Sequence, residues 1–149
     1  MMGRISETVK AGGGEIIGII PNALLAREVV RVELADLRIV RSMHERKAMM
    51  VELSDGFIAL PGGFGTFEEF CEIVTWAQLG LHSKPVGLLN VEGYFDPLLL
   101  QFDRAVSEEF AHPDNNRLIL HEGDPGRLLD LMEAYRPPAV EQWIDPDES

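Results

Sequence analysis

The chain is short of cysteine, of basic residues and of long apolar runs. A single cysteine, Cys71, stands among 149 residues, which excludes an intramolecular disulfide and any zinc or iron–sulfur site built from several thiolates. Lysine and arginine number 13 against 25 aspartates and glutamates, a net charge of −12. Such a surface repels a phosphate backbone at long range, so bulk nucleic-acid binding is not expected, while a small phosphorylated ligand held in a locally positive site is compatible with it. No apolar run approaches the roughly 18 residues that would suggest a membrane span. The opening MMGRISETVKAGGG has no apolar signal-peptide core, and a cytoplasmic location is expected. There is no internal repeat and no low-complexity tract.

What is present is an ordinary globular composition, 46% hydrophobic and 26% charged, enough for one domain with its own core. Gly3 to Ala11 is polar and helix-compatible and is stopped by Gly12-Gly13-Gly14. Glu15–Ile20 (EIIGII) reads as a buried parallel strand ended by Pro21, and Leu37–Val40 as a second short strand. Residues 22 to 36 show no clear period. Ser42, with Glu45 three residues on, has the spacing of a capping box, and a helix from Met43 to Ser54 follows. Gly56–Leu60 is a strand, and a long helix runs from near Thr66 to about Leu81. Pro85–Val91 is a strand, Tyr94–Phe110 a helix opened by Asp96-Pro97, and Leu118–His121 a strand. A last helix runs from Asp124-Pro125 to about Tyr135. Strand and helix alternate throughout, which predicts a parallel sheet covered on both faces. Residues 1–136 are expected to form one domain and residues 137–149 an acidic, loose tail.

The strongest local signal is ALPGGFGTFEEF at residues 59–70, a glycine-rich turn joining a strand to a helix. Glycines at 62, 63 and 65 let the backbone turn sharply and approach a ligand. The helix start offers unpaired N–H groups and a partial positive charge, which suit a phosphate, and Thr66 is placed to cap the helix. The pattern is neither a Walker loop, lacking its Lys-Ser/Thr, nor G-x-G-x-x-G. A tight connection without a ligand is the competing explanation.

In the following helix Phe67, Phe70, Cys71, Val74, Ala77, Gln78 and Leu81 form one stripe, the expected core face, which makes Cys71 a core residue rather than a nucleophile. Glu68 and Glu69 are placed in the first turn, where the helix dipole favours carboxylates. Glu69 also lies one turn beyond Thr66, within reach of a ligand on the glycines. Ile73, Trp76 and Leu79 fall off the stripe, which suggests an oligomer interface. On the preceding helix Arg46 falls in an apolar arc between Leu53 and Met50. A charge so placed is either snorkelling or partnered, and arginine is suited to phosphate or carboxylate. His44 reads as exposed and structural.

The segments MHERKAMM and PGGFGTFEE, with TWAQLGLHSKPVGLLNVEGYFDPLL from Thr75 to Leu99, resemble the Lonely Guy family of cytokinin riboside 5′-monophosphate phosphoribohydrolases, whose older label is possible lysine decarboxylase. The resemblance runs from Met2 to about Tyr135. It implies a Rossmann-like, doubly wound α/β fold with active sites at a homodimer interface, higher oligomers also being compatible. Arg46 and Glu69 would be the catalytic pair. Glu28, Lys47, Gly62, Gly63, Phe64, Gly65, Thr66, Phe67, Glu68 and Thr75 would line the nucleotide site. Set against the family, the chain is expected to lack an N-terminal strand-helix-strand unit.

The implied reaction is hydrolysis of the N-glycosidic bond of a cytokinin-type or adenine nucleoside 5′-monophosphate, releasing the free base and ribose 5-phosphate. No metal and no cofactor is implied. The alternatives are a mononucleotide-binding module without catalysis, an inactive truncated remnant, and a pyridoxal enzyme in which Lys47 forms a Schiff base.

Overall fold

The computed structural model describes residues 2–25 and 36–138. Glu28 and the acidic residues 139–149 lie outside the described residues. The chain divides between Ser54 and Asp55 into two compact units, each α/β and each built on parallel strands.

The first unit begins with helix α1 (Met2–Ala11). It ends where the three glycines predict. Gly14 N–H bonds Val9 O at 2.9 Å and Gly13 N–H bonds Lys10 O at 3.1 Å, with Gly13 at φ +78°. This paired closure, with one residue in the left-handed region, favours glycine because a Cβ is penalised there. Strands β1 (Ile17–Pro21) and β2 (Asp36–Val40) pair in parallel, Ile17 opposite Asp36 and Pro21 opposite Val40. Ile20 and Val40 are buried. Helix α2 (Met43–Leu53) packs on this pair. Its cap is the predicted one at Ser42, whose Oγ accepts from Glu45 N–H at 3.1 Å. The reciprocal bond differs from a standard capping box: the Glu45 carboxylate takes the N–H of Arg41, at 2.7 Å, one residue before the cap.

The second unit is a three-stranded parallel sheet in the order β3 (Phe57–Ala59), β4 (Val86–Leu89), β5 (Ile119–Glu122). Val86 pairs with Phe57 on one side and Ile119 on the other. Parallel neighbours need long crossovers, and helices supply them: α3 (Phe64–Gln78) between β3 and β4, and α4 (Asp96–Ser107) between β4 and β5. Helix α5 (Pro125–Ala134) follows β5. It opens at Asp124-Pro125, as the sequence predicts, and its cap is Asp124, whose carboxylate accepts from Arg127 N–H at 2.9 Å. Gly87 faces α5: a Cβ there would stand 3.1 Å from Leu128 and 3.3 Å from Met132. By the alternation of a strand, Val86 and Leu88 face the other way. Val86, Leu88, Leu128 and Phe95 are the most completely buried side chains. A central strand buried on both faces matches its unbroken apolar sequence.

Several expectations are corrected. Helix α3 starts at Phe64, not near Thr66, with Gly63 as its cap and no side-chain cap bond. Thr66 is therefore the third helical residue. Glu68 and Glu69 stand in the second turn, and the first turn holds no acid. The helix closes at Gln78 rather than Leu81. Its buried residues are Phe70, Ile73 and Ala77, a stripe rotated from the expected one. Cys71 and Gln78 are exposed, so Cys71 is not a core residue. Ile73, at 8% exposure, is core rather than interface surface. Helix α4 is capped at Phe95, with Asp96 and Pro97 in its first turn, and ends at Ser107, before Phe110. Its end uses the same paired closure as α1, Phe110 N–H to Ala105 O at 2.8 Å and Glu109 N–H to Val106 O at 3.0 Å. Here the left-handed position, φ +63°, is held by Glu109.

Candidate functional site

In an open parallel sheet the loops at the carboxyl ends of the strands lie along one edge, where such folds bind ligands. In the second unit those loops are Leu60–Gly63 after β3, Asn90–Phe95 after β4, and Gly123-Asp124 after β5. The glycine-rich turn is the first of them.

Its glycines differ in why they are there. Gly62 is required by packing: a Cβ at that position would collide with Thr66 Oγ1 and come within 3.0 Å of Thr66 Cβ. Gly63 is extended, at φ −96° and ψ −155°. A Cβ on Gly63 or on Gly65 would meet no atom within 4 Å, and neither residue has positive φ. Packing therefore calls for glycine at 62, while neither packing nor backbone conformation calls for it at 63 or 65. Open space beside the start of a helix is what a ligand approaching the backbone needs.

The Gly63 carbonyl accepts from Thr66 N–H at 3.0 Å and Phe67 N–H at 3.2 Å. The N–H groups of Phe64 and Gly65 precede the first possible intrahelical bond. With the positive end of the helix dipole they form an anion-binding geometry. Phe64 is 92% exposed at this start.

Glu69 is half-buried on α3, four residues beyond Gly65. Side chains on a helix tilt toward its N-terminus, so the Glu69 Cα–Cβ bond leans toward the end of α3 that the glycine turn begins. Glu68 is exposed on the adjacent face. Thr75 is not gathered with them. It lies ten residues past Gly65, roughly 15 Å along the axis at 1.5 Å per residue, and its hydroxyl donates to Cys71 O at 2.7 Å. Partial burial pushes the Cys71 thiol up, away from the thiolate form a nucleophile needs.

Arg46 and Lys47 belong to the first unit, both half-buried on α2. Of the two residues expected to flank Arg46 in its apolar arc, Met50 is half-buried and Leu53 is 41% exposed. His44 is exposed, as expected. Among the described residues no group of three or more His, Cys, Asp or Glu side chains is placed to hold a metal ion. No helix among them is long and apolar enough to cross a membrane.

One further participant comes from a distant loop. Tyr94, from the loop after β4, donates its hydroxyl to the Gly62 carbonyl at 2.6 Å. Nothing local in the sequence signals a partner 32 residues away. The Asn90 that organises that loop is a turn-forming residue, the only hint available.

The family described as possible lysine decarboxylase matches residues 2–132. A probable cytokinin riboside 5′-monophosphate phosphoribohydrolase of Oryza sativa subsp. japonica, LOGL5, is 51% identical over 138 residues, covering 93% of this chain and 56% of the relative. The cytokinin riboside 5′-monophosphate phosphoribohydrolase LOG of the same plant is 50% identical over 137 residues, 92% of this chain and 57% of the relative. LOG2 of Arabidopsis thaliana, with the same activity in its name, is 48% identical over 137 residues, 92% of this chain and 64% of the relative. The chain thus spans more than half but less than two thirds of the length of these relatives. Its strand, glycine turn and helix sit within the matched span, and the chain belongs to the possible lysine decarboxylase family.

Proposed function

We propose that this chain hydrolyses the N-glycosidic bond of a nucleoside 5′-monophosphate of cytokinin or adenine type, releasing the base and ribose 5-phosphate. The observation that carries the reading is the pair of glycines, Gly63 and Gly65, for which neither packing nor backbone angle has a use. They stand at a helix start whose next turn presents Glu69, in a chain about half identical to relatives named for this reaction.

In this reading the amides of Gly63, Phe64 and Gly65 hold the 5′-phosphate at the helix N-terminus. Departure of the base builds positive charge on the ribose, as in other glycosidic cleavages. The Glu69 carboxylate, one helical turn beyond the glycines, stabilises that charge and orients or deprotonates the attacking water. Arg46 is assigned with Glu69 to catalysis, balancing charge as the bond breaks. Lys47, Gly62, Thr66, Phe67, Glu68 and Glu28 are assigned to nucleotide binding; Thr75, roughly 15 Å along α3 from Gly65, is assigned there through the family resemblance alone. The working form is a cytoplasmic homodimer with its sites at the subunit interface.

The test is chromatographic detection of base release from AMP and from isopentenyl-AMP by the 149-residue chain. Release is expected, and Glu69→Gln is expected to abolish it while nucleotide binding stays measurable. Full activity in Glu69→Gln would overturn the assignment. Binding without release in the parent chain would favour the mononucleotide-binding reading instead.

A further inference from the structure

We infer that Tyr94 is a positioning residue: its hydroxyl fixes the peptide plane between Gly62 and Gly63 and so aims the turn's amides at the ligand's phosphate. The inference rests on the nucleotide reading above and adds a residue that the sequence pattern did not single out.

The argument starts from a property of the turn. A peptide unit between two glycines has little steric resistance to rotation of its plane, because neither neighbour carries a Cβ. In a trans peptide the carbonyl of one residue and the N–H of the next point in opposite directions, and the described residues contain no cis bond. Flipping the Gly62–Gly63 plane would therefore turn the Gly63 N–H away and present a carbonyl oxygen in its place. For an anion site this exchanges attraction for repulsion. Something must hold the plane, and two groups do. Tyr94 Oη donates to Gly62 O at 2.6 Å, and the Thr66 side chain closes against the Gly62 Cα, where no Cβ would fit.

The tie matters only if Tyr94 is itself held, and its loop is heavily determined. The Asn90 side chain bridges the loop, its Oδ1 accepting from Phe95 N–H at 2.7 Å and its Nδ2 donating to Asp96 Oδ1 at 2.7 Å. The Asn90 N–H is bonded to Glu122 O at 2.8 Å, which fastens the loop to the end of β5. Gly93 takes φ +71°, and a Cβ there would strike the Asp96 carboxylate. Next to Tyr94, Phe95 is 1% exposed. Its ring meets Tyr94 edge-on at 5.0 Å and Phe67 edge-on at 6.4 Å. Phe67 lies in the second turn of α3. The loop after β4 therefore grips the glycine turn at its carbonyl and, through Phe95, grips the helix that the turn begins.

The experiment compares Tyr94→Phe with the parent chain. The ring and its contact with Phe95 are kept and only the hydroxyl is lost. AMP affinity is measured by calorimetry in the Glu69→Gln background, so that turnover does not interfere, and kcat and KM are measured with Glu69 intact. Amide hydrogen exchange is followed at Thr66 and Phe67, whose N–H groups bond the Gly63 carbonyl. The expected result is an AMP dissociation constant raised about fivefold, the change that matches one ordinary neutral hydrogen bond. KM should rise with it, kcat should change less than twofold, and exchange at Thr66 and Phe67 should be faster. Unchanged affinity and exchange in a chain that binds AMP would overturn the role of Tyr94 and leave the nucleotide reading standing. A parent chain that binds no AMP, with exchange still faster in Tyr94→Phe, would overturn the nucleotide reading while leaving Tyr94 as the residue that fixes the turn.

Discussion

Two alanine substitutions three residues apart in the glycine turn should have opposite effects on stability. At Gly62 a methyl group collides with Thr66 Oγ1. Rotating the threonine moves that oxygen but not its Cβ, which stays 3.0 Å from the new methyl, so the backbone itself must shift. Overpacking of this kind costs about 1–3 kcal/mol, or roughly 3–10 °C in melting temperature for a chain of this size. At Gly65 a methyl meets nothing within 4 Å. The residue is the second of α3, and alanine is favoured over glycine in a helix by up to about 1 kcal/mol. Gly65→Ala should therefore raise the melting temperature by roughly 1–4 °C. Thermal unfolding followed by circular dichroism, without ligand, reads both. If the open space at Gly65 is where the phosphate approaches, the same Gly65→Ala chain should bind AMP at least tenfold more weakly, gaining stability and losing affinity together. A Gly62→Ala chain that melts at or above the parent would refute the packing argument. A Gly65→Ala chain with parental affinity would refute the use assigned to that space.

Two further outcomes follow from single residues. His82 Nε2 stands 2.9 Å from Ile73 O, and its Nδ1 accepts the Lys84 N–H at 3.2 Å, a pattern that assigns a neutral ring protonated on Nε2. Burial lowers its pKa, the Ile73 bond opposes this, and the Lys84 charge adds to the lowering. The folded value lies below the unfolded one of about 6.5, so the contribution is present above that pH and is lost as pH falls below it. Denaturant titrations between about pH 7.5 and about pH 5 should show that loss, and His82→Gln should flatten it. Glu109 closes α4 at φ +63°, where a side chain costs about 1 kcal/mol or more. Glu109→Gly should stabilise the chain by about 0.5–1 kcal/mol, net of glycine's greater freedom when unfolded. A fall in denaturation midpoint would show that the glutamate side chain contributes more than its backbone strain costs.

Much of the fold is legible because its signals are local. The glycines that end α1, the caps at Ser42 and Asp124, and the apolar runs of β1, β3 and β4 each act within a few residues of where they are written. The start of α3 lies two residues before the one its sequence predicts, for a related reason. Thr66 is a good cap in isolation, but Gly63 offers a carbonyl that two N–H groups reach, and Thr66 is engaged against Gly62 instead. The buried face of α3 is not legible in its sequence because apolar residues cover most of the segment: Phe67, Phe70, Ile73, Val74, Trp76, Ala77 and Leu79 leave no single stripe. With no clean polar face, the surrounding strands and helices decide which side is buried, and they bury Phe70, Ile73 and Ala77 while leaving Cys71 outside.

Spacing along the backbone is enough to give an alternating α/β chain, a strand-to-helix turn rich in glycine, and a glutamate one helical turn beyond it. Which glycines are needed by packing and which stand open is settled by the fold. So is the reach of Tyr94 to the Gly62 carbonyl and its support by Asn90 and Phe95. Those contacts join residues tens of positions apart, and the folded sheet edge, not any local preference of the chain, brings them together.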